Sequence, residues 1–382
     1  MKRFKIVALF ALVFAICLST LVVQSVAQKK EDDRSNISLW INSDNDHKRL
    51  VEMRGKAEFT EDYTDVASVT PGGYVKVEEM RSGQSQRYEV RSEAGKPLTR
   101  TYYRNGKVQS LDQAARDWVA QTILYAARQS GMDAERRVQI ILRQRGVAGV
   151  LQEIDLITSD YAKRIYFQGL LKYGNLNVTT LQSLLNQAAH QISSDYEQAE
   201  LLINASSVMV GKEAAAKAFF AAVDTISSDY ERARVLTTVL QKNQVTPTLL
   251  SDVAASTRQI SSDYEKAKVL KEVAKLYLDD DTLRAVYFKV IASIQSDYEH
   301  RGVLSELLKR GNLKDAAVEA LIESSARMSS DYEKATLLVE VSRAYSNEPR
   351  VRSALLKAAG TISSDYERGR VLSALSKNKQ IS

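Results

Sequence analysis

The strongest constraint on the fold of this 382-residue chain is the tripeptide Ser-Asp-Tyr, which recurs at a fixed interval through its second half. The first interval between motif aspartates is 35 residues and the next five are 34 residues each, at Asp160, Asp195, Asp229, Asp263, Asp297, Asp331 and Asp365. A fixed period of about 20 to 50 residues is typical of solenoids, in which each unit packs only on its neighbours. The sequence therefore predicts an α-solenoid over residues 160–382, with six full repeats and a closing half repeat.

Each repeat is predicted to contain two helices. In the repeat that begins at Asp263, one face of the first helix carries Tyr264, Ala267, Leu270, Val273, Ala274 and Tyr277. The second helix is predicted to bury Leu283, Tyr287, Val290, Ile291 and Ile294. Both sets have the spacing of an amphipathic helix. Stacking such pairs predicts a right-handed superhelix.

The connection between the two helices has its own signals. Gly174, Asn243 and Gly311 stand fourteen residues after their motif aspartates, and these residue types accept the left-handed conformation that ends a helix. Thr246 and Pro247 then suit the cap and the first turn of a second helix.

The motif itself is predicted to be a structural joint at the start of each first helix. Ser262 and Glu265 form a Ser-x-x-Glu capping box, and five other copies of the motif have the same pair. Only the first copy, Ser159 with Ala162, lacks the Glu. The Asp meets the positive end of the helix dipole, and the Tyr is predicted to begin the buried face.

The alternative interpretation is a ladder of acidic and phenolic groups that binds a metal or a repetitive ligand. Basic residues follow the acidic ones at once, as in "DYERAR", so such a ladder is nearly neutral. Neighbouring aspartates are also expected about 10 Å apart, which is too far to share one calcium ion. The sequence therefore favours the joint.

The first part of the chain has a different pattern. Residues 37–110 alternate between polar and apolar types and are predicted to form a small antiparallel β domain, with turns at Thr70–Tyr74, Ser82-Gly83 and Asn105-Gly106. Residues 111–159 are helical in pattern, with Gly131 and Gly146 as predicted stops, and are expected to connect or cap the array. The fold class predicted is α+β, mainly α.

Residues 1–27 resemble a secretory signal peptide. Lys2, Arg3 and Lys5 precede an apolar run, which ends in Ser25-Val26-Ala27 and is followed by a flexible linker at 28–36. Cleavage after Ala27 is expected, with localisation in the periplasm or outside the cell and no membrane insertion of the mature chain. The alternative is an uncleaved anchor, because the apolar run nearly spans a bilayer.

Charge and cysteine content exclude several classes of function. Without the three basic residues of the signal, the chain has 50 basic and 47 acidic residues. The resulting net charge of +3 does not indicate nucleic-acid binding. Cys17, in the signal, is the only cysteine, and the Ile before it is unsuited to lipidation. The mature chain therefore has no disulfide, no thiolate metal site and no cysteine nucleophile.

No catalytic, cofactor or metal site is predicted. His47, His190 and His300 lie in unrelated contexts, where exposed or capping roles are expected, and the zinc, phosphate, dinucleotide and serine-hydrolase motifs are absent. Tyr264 and Lys268 match a dehydrogenase Tyr-x-x-x-Lys pair only by coincidence, because no glycine-rich turn accompanies them. The run Asp279–Asp281 is expected to be a capping loop.

Three strings carry a family resemblance: Glu58–Glu79, Ala134–Leu171 and the serial "ISSDYE" units. Over roughly residues 50–382 the chain resembles the extracytoplasmic region that follows the peptidase part of some beta-lactam-sensor-type antirepressor metallopeptidases. That family has several membrane helices and a His-Glu-x-x-His, and this chain has neither, so no catalytic residue is carried over. The resemblance implies an envelope protein of sensing or scaffolding type.

The function predicted is therefore non-catalytic: an exported scaffold that binds a protein or peptide partner on its helical repeats. The first alternative is an envelope sensor whose β domain binds a small ligand. A remote alternative is an unrecognised hydrolase.

Overall fold

The computed structural model describes residues 37–44, 46–209, 212–345 and 348–377, so the predicted signal peptide and linker lie outside the described residues. The chain divides into two compact units. Of the described residues, the first unit takes those up to 144 and 155–162, and the second takes 145–154 and those from 163 onward. Helical residues 113–130 and 134–144 thus belong to the same compact unit as the sheet. The predicted domain ranges 37–110, 111–159 and 160–382 stay predictions.

The first unit contains a six-stranded antiparallel sheet in the order β1-β2-β5-β6-β7-β8 and a two-stranded antiparallel sheet, β3-β4. The strands are β1 (Ile37–Asp44), β2 (His47–Arg54), β3 (Ala57–Phe59), β4 (Val66–Val69), β5 (Tyr74–Arg81), β6 (Gln84–Arg91), β7 (Thr99–Arg104) and β8 (Lys107–Gln109). The predicted turn at Asn105-Gly106 is confirmed, since both residues have positive φ, at 50° and 75°. Ser82-Gly83 joins β5 to β6 in the same way.

One face of the large sheet packs on helix α1 (Gln113–Ser130). Trp40, Val77 and Tyr88 of the sheet share a buried core with Ile123 of the helix. Gly131 ends α1, as predicted, and it adopts the left-handed conformation there. Helix α2 (Ala134–Ile154) is interrupted by non-helical backbone at Gly146, where the second stop was predicted.

The second unit is an array of helix pairs. The first helices of the repeats are α3 (Asp160–Tyr173), α5 (Asp195–Ala205), α7 (Asp229–Lys242), α9 (Asp263–Lys275), α11 (Asp297–Lys309), α13 (Asp331–Tyr345) and α15 (Asp365–Lys377). The second helices are α4 (Val178–Gln191), α6 (Glu213–Val223), α8 (Pro247–Thr257), α10 (Asp281–Ile291), α12 (Asp315–Ser325) and α14 (Pro349–Ala359). From α5 onward first helices pack on first helices, and second helices pack on second helices. The predicted solenoid of helix pairs is confirmed.

The predicted cores of the repeats are also confirmed, with one exception. In the repeat that begins at Asp263, the predicted apolar residues from Ala267 to Ile294 are buried. Tyr264 is the exception, because 65% of its surface is exposed.

The ends of the first helices follow the prediction in part. Gly311 adopts the left-handed conformation, with φ of 67°. Next to Gly174 it is Asn175 that has positive φ, whereas a Cβ on Gly174 would lie 2.5 Å from the Leu170 carbonyl oxygen. Asn243 is extended, and its side-chain Nδ2 donates to the Val239 carbonyl at 2.8 Å. The prediction of a left-handed conformation at the helix end was therefore wrong for Gly174 and Asn243.

Candidate binding surface on the helical repeats

The Ser of the motif caps the first helix of its repeat, as predicted. In six copies its Oγ accepts a hydrogen bond from the backbone N–H of the Glu three residues later, at 3.3 to 3.4 Å. Ser159 caps in the same way, through the N–H of Ala162 at 3.3 Å. Each first helix therefore begins with one of its free backbone donors satisfied.

The Asp of the motif joins neighbouring repeats, which the sequence did not predict. Five of these carboxylates accept a hydrogen bond, at 2.6 to 2.8 Å, from the backbone N–H of the cap Ser in the next repeat: Asp195, Asp229, Asp263, Asp297 and Asp331. Asp263 also accepts from the N–H of Gln295 at 2.9 Å. The carboxylate thus reaches 32 and 33 residues along the chain and links the N-terminus of one first helix to the cap of the next.

This contact changes the role of the Glu in the motif. In a capping box the Glu accepts from the N–H of the cap Ser, but in five of the six copies that N–H donates to the Asp of the preceding repeat. In these five copies the Glu forms ion pairs instead, so the predicted reciprocal box was wrong there in its second half. Three ion pairs of motif Glu residues connect adjacent repeats: Glu197 with Arg164, Glu299 with Lys271, and Glu333 with Arg301.

The third residue after the motif Asp fastens the second helix of the same repeat. Its side chain donates a hydrogen bond to a backbone carbonyl at the C-terminal end of that helix. The donor and acceptor pairs are Lys163 and Gln191 (2.6 Å), Gln198 and Ala222 (3.3 Å), Arg232 and Gln259, Lys266 and Ser293 (3.4 Å), and Lys334 and Thr361 (3.4 Å). Four of these side chains are cationic and meet the negative end of a helix dipole. Three of the four cations, Arg232, Lys266 and Lys334, are buried, and their donors satisfy helix carbonyls that have no partner within the helix.

His300 occupies the same position in its repeat, and its Nε2 lies 2.9 Å from the Ser324 Oγ. Its side chain is buried, whereas an exposed or capping role was expected. Burial lowers the pKa of the imidazole to about 4, because the charged form loses its hydration.

A pH dependence of stability follows for His300. The unfolded chain binds a proton near pH 6.5 and the folded chain only near pH 4, so the stabilising contribution is present above pH 6.5 and is lost as the pH falls to 4. We expect the loss to be about 3 kcal/mol. The control is His300→Gln, which has the side chain that Gln198 has at the equivalent position. This variant is expected to lose this part of the pH dependence, measured as the free energy of unfolding in urea between pH 7 and 4. Equal losses in parent and variant would contradict a buried, neutral His300.

The Tyr of the motif is exposed in every repeat, so the prediction that it begins the buried face was wrong. The seven motif tyrosines have exposed fractions between 43% and 76%: Tyr161, Tyr196, Tyr230, Tyr264, Tyr298, Tyr332 and Tyr366. The exposed position of the Tyr can be derived from a helical wheel. At 100° per residue, the buried side chains of α9 centre about 140° away from Tyr264.

Cations lie against four of these rings. Arg234 lies over Tyr196 at 5.5 Å, Lys268 over Tyr230 at 5.3 Å, and Arg370 over Tyr332 at 5.6 Å, each cation coming from the repeat that follows the ring. Arg301 lies over Tyr298 of its own repeat at 5.5 Å. A cation over one ring face contributes about 0.5 to 1 kcal/mol at an exposed site and restrains the side chain.

Open grooves run beside the tyrosines between neighbouring first helices. One, of about 290 Å³, is lined by Tyr264, Lys268, Lys271, Glu272, Lys275 and Glu306. Another, of about 590 Å³, includes Tyr366, Arg370 and Lys377 in its lining. We call the six tyrosines of the second unit, Tyr196 to Tyr366, the tyrosine row. The row therefore presents phenol rings together with ammonium and guanidinium groups.

Contacts of Lys268 and His47, also considered from the sequence, are as follows. Lys268 Nζ pairs with Glu265 at 3.3 Å and lies over Tyr230. That Lys268 and Tyr264 match a dehydrogenase pair only by coincidence stays a prediction. His47 Nε2 lies 2.6 Å from Glu79, and His190 is exposed.

The acidic run is a capping loop, as predicted. Asp280 caps α10 through the N–H of Leu283 at 2.9 Å, and Asp279 accepts from the N–H of Lys314 at 2.8 Å. Among the described residues there is no group of three or more His, Cys, Asp or Glu side chains suited to a metal ion. In the same part of the chain no helix is long and apolar enough to cross a membrane.

Comparison of the chain with models of known protein families, with curated proteins and with solved structures finds no match. The family resemblance noted from the sequence therefore stays a prediction.

Proposed function

We propose that the protein is an exported, non-catalytic scaffold that binds an extended segment of a partner protein along the tyrosine row. The observation that carries this proposal is that the Tyr of the motif is exposed while the Asp beside it makes the joint. Packing therefore does not account for a Tyr at this position in every repeat. Tyr and Arg, together with Trp, are enriched in the energetically dominant parts of protein interfaces, and the Tyr ring offers a large, rigid contact area.

The spacing of the row suits an extended chain. Neighbouring first helices pack at about 8 to 10 Å, and an extended chain advances about 3.3 Å per residue. One tyrosine is therefore available for every third residue of a bound segment, and about 15 residues reach along the whole row.

The groups beside the rings indicate the chemistry of the segment. Lys275 and Lys309 stand twelve residues after their motif aspartates and are half or more exposed, and each pairs with a less exposed Glu three residues before it. The Glu265 and Glu299 carboxylates are largely covered and also ion-paired. The outermost groups are therefore phenols and cations. A matching segment has aromatic or aliphatic side chains for the rings and carboxylates for the cations.

The test is selection of linear 16-residue peptides from a displayed library on residues 28–382. Kd values of the selected peptides are then measured against the parent and against a variant with Tyr230, Tyr264, Tyr298 and Tyr332 all changed to Ala. We expect a loss of affinity of about 1,000-fold, since four dominant interface residues at about 1 kcal/mol each contribute about 4 kcal/mol and each step of about 1.4 kcal/mol is tenfold.

The matched control changes four exposed residues of the second helices, Lys217, Thr248, Lys289 and Lys357, to Ala. We expect this control variant to bind like the parent. Thermal melting of both variants shows whether the fold is kept. Selected peptides that bind the tyrosine variant and the parent equally well would overturn the proposal, as would a failure to select any peptide that competes for the row.

A further inference from the structure

The two edges of the six-stranded sheet differ in their protection. The edge strand β8 has three residues and carries Lys107, which are two common ways of keeping an edge from pairing with another chain. The edge strand β1 has eight residues and no charged side chain before Asp44. Within the described residues β1 pairs only with β2, so its outer row of backbone donors and acceptors is available.

Apolar side chains accompany this edge. Ile37, Leu39 and Ile41 are exposed by 43%, 43% and 39%, on the face opposite Trp40, which is buried in the core. Leu50 stands opposite Ile41 on β2 and extends the apolar surface by one strand. Long, apolar edges of this kind are the ones that add another strand.

We propose that β1 pairs antiparallel with β1 of a second copy of this chain, so that two sheets join into one of twelve strands. Pairing of identical strands about a two-fold axis uses the same surface in both copies and closes the assembly at a dimer. This inference is independent of the function proposed for the tyrosine row.

The sequence of β1 is complementary to itself in this arrangement. With Trp40 on the two-fold axis, Leu39 of each copy stands opposite Ile41 of the other, and Ile37 opposite Ser43. Cross-strand pairs of β-branched and aliphatic residues stabilise a sheet, and like charges placed opposite destabilise it. Asp44 falls opposite residue 36, which is Asn, so that no like charges meet.

The preceding segment of the same chain is a poorer occupant of the edge. Residues 28–36 read "QKKEDDRSN", in which six of nine side chains are charged. Such a sequence has low β propensity and offers no apolar partner for Leu39 or Ile41. A second β1 offers both.

The test is sedimentation velocity on residues 28–382 between 1 and 500 µM, roughly the range in which a small strand-paired interface associates. We expect a dimer with a Kd on the order of 10 to 100 µM for the parent. Leu39→Lys is expected to remain monomeric, because it places two cations against apolar partners. Met80→Lys, exposed on the same sheet but away from the β1 edge, is the control and is expected to dimerise like the parent.

A cross-linking experiment tests the register, even if Leu39→Lys disturbs the fold. The segment 28–382 contains no cysteine, so that Leu39→Cys and Ile41→Cys each introduce a single thiol. A short bis-maleimide is expected to link an equal mixture of the two proteins into a 39–41 heterodimer more efficiently than it links either protein alone. A parent that stays monomeric at 500 µM, or a dimer that persists in Leu39→Lys, would overturn the inference.

Discussion

Asp263→Ala is expected to lower the free energy of unfolding of the array by about 2 to 4 kcal/mol. The Asp263 carboxylate accepts from the backbone N–H of Gln295 at 2.9 Å and of Ser296 at 2.7 Å. Hydrogen bonds to a charged acceptor contribute about 1.5 to 3 kcal/mol each, and water replaces part of the bond to the more exposed Gln295. Urea unfolding followed by circular dichroism measures the loss.

The last repeat supplies the matched control. Asp365 has the same place in its motif, but its side chain is 90% exposed and, within the described residues, pairs with Arg368 three residues later. Asp365→Ala removes the helix-dipole interaction without removing a joint, so the expected loss is less than about 1 kcal/mol. Equal losses at Asp263 and Asp365 would mean that the Asp acts only on its own helix. Tyr264→Ala, at an exposed position, is likewise expected to cost less than about 1 kcal/mol.

Arg232→Ala is expected to cost about 3 to 4 kcal/mol. The buried Arg232 guanidinium donates to the Gln259 carbonyl of its own repeat and to the Asp224 and Ile226 carbonyls of the preceding one. Its removal leaves these carbonyls without their donor. A buried, unsatisfied group costs about 1 to 3 kcal/mol, which applies in full to the Ile226 carbonyl, because water reaches the partly exposed Gln259 and Asp224 carbonyls. The measurement is again urea unfolding, with the parent at the same pH.

Two further variants separate the buried contacts of Arg232 from the general effect of removing a positive charge. Arg232→Lys is expected to recover about half of the loss, because Lys266 and Lys334 occupy the equivalent position and reach the Ser293 and Thr361 carbonyls. Arg258→Ala removes an exposed Arg from the same repeat and is expected to leave stability within about 0.5 kcal/mol. A loss at Arg258 as large as that at Arg232 would contradict the explanation.

The period of the motif was sufficient to predict the array, because only stacked, equivalent units make a 34-residue interval recur. Local signals also placed the ends of elements, as at Thr246, whose side chain accepts from the N–H of Leu249 at 3.1 Å. Asn105-Gly106 fixed a hairpin for the same reason, since its positive φ values are a property of those two residues.

The contacts between repeats were not predictable from one motif. Asp263 bonds to backbone N–H groups, and these carry no side-chain signature at the distant positions that supply them. The position of Tyr264 was missed because its aromatic side chain was assumed to be buried, whereas the helical wheel assigns it to the outer face. The burial of Tyr264 was thus predicted incorrectly from its residue type, whereas its position on the helix determines its exposure.

The central claim is that the motif Asp, from Asp195 to Asp331, holds the next repeat while the Tyr beside it faces outward. Hydrogen exchange in parent, Asp263→Ala and Tyr264→Ala tests this claim most directly, with peptides covering each joint resolved by mass spectrometry. Ala is chosen at position 263 because the side-chain oxygen of Asn could still accept from the two backbone N–H groups. The predicted result is faster exchange at Gln295 and Ser296 in Asp263→Ala, with the joints at Ser228 and Ser364 unchanged and with parent-like protection throughout Tyr264→Ala. Unchanged protection at Gln295 and Ser296 in Asp263→Ala, or loss of protection there in Tyr264→Ala, would contradict the claim.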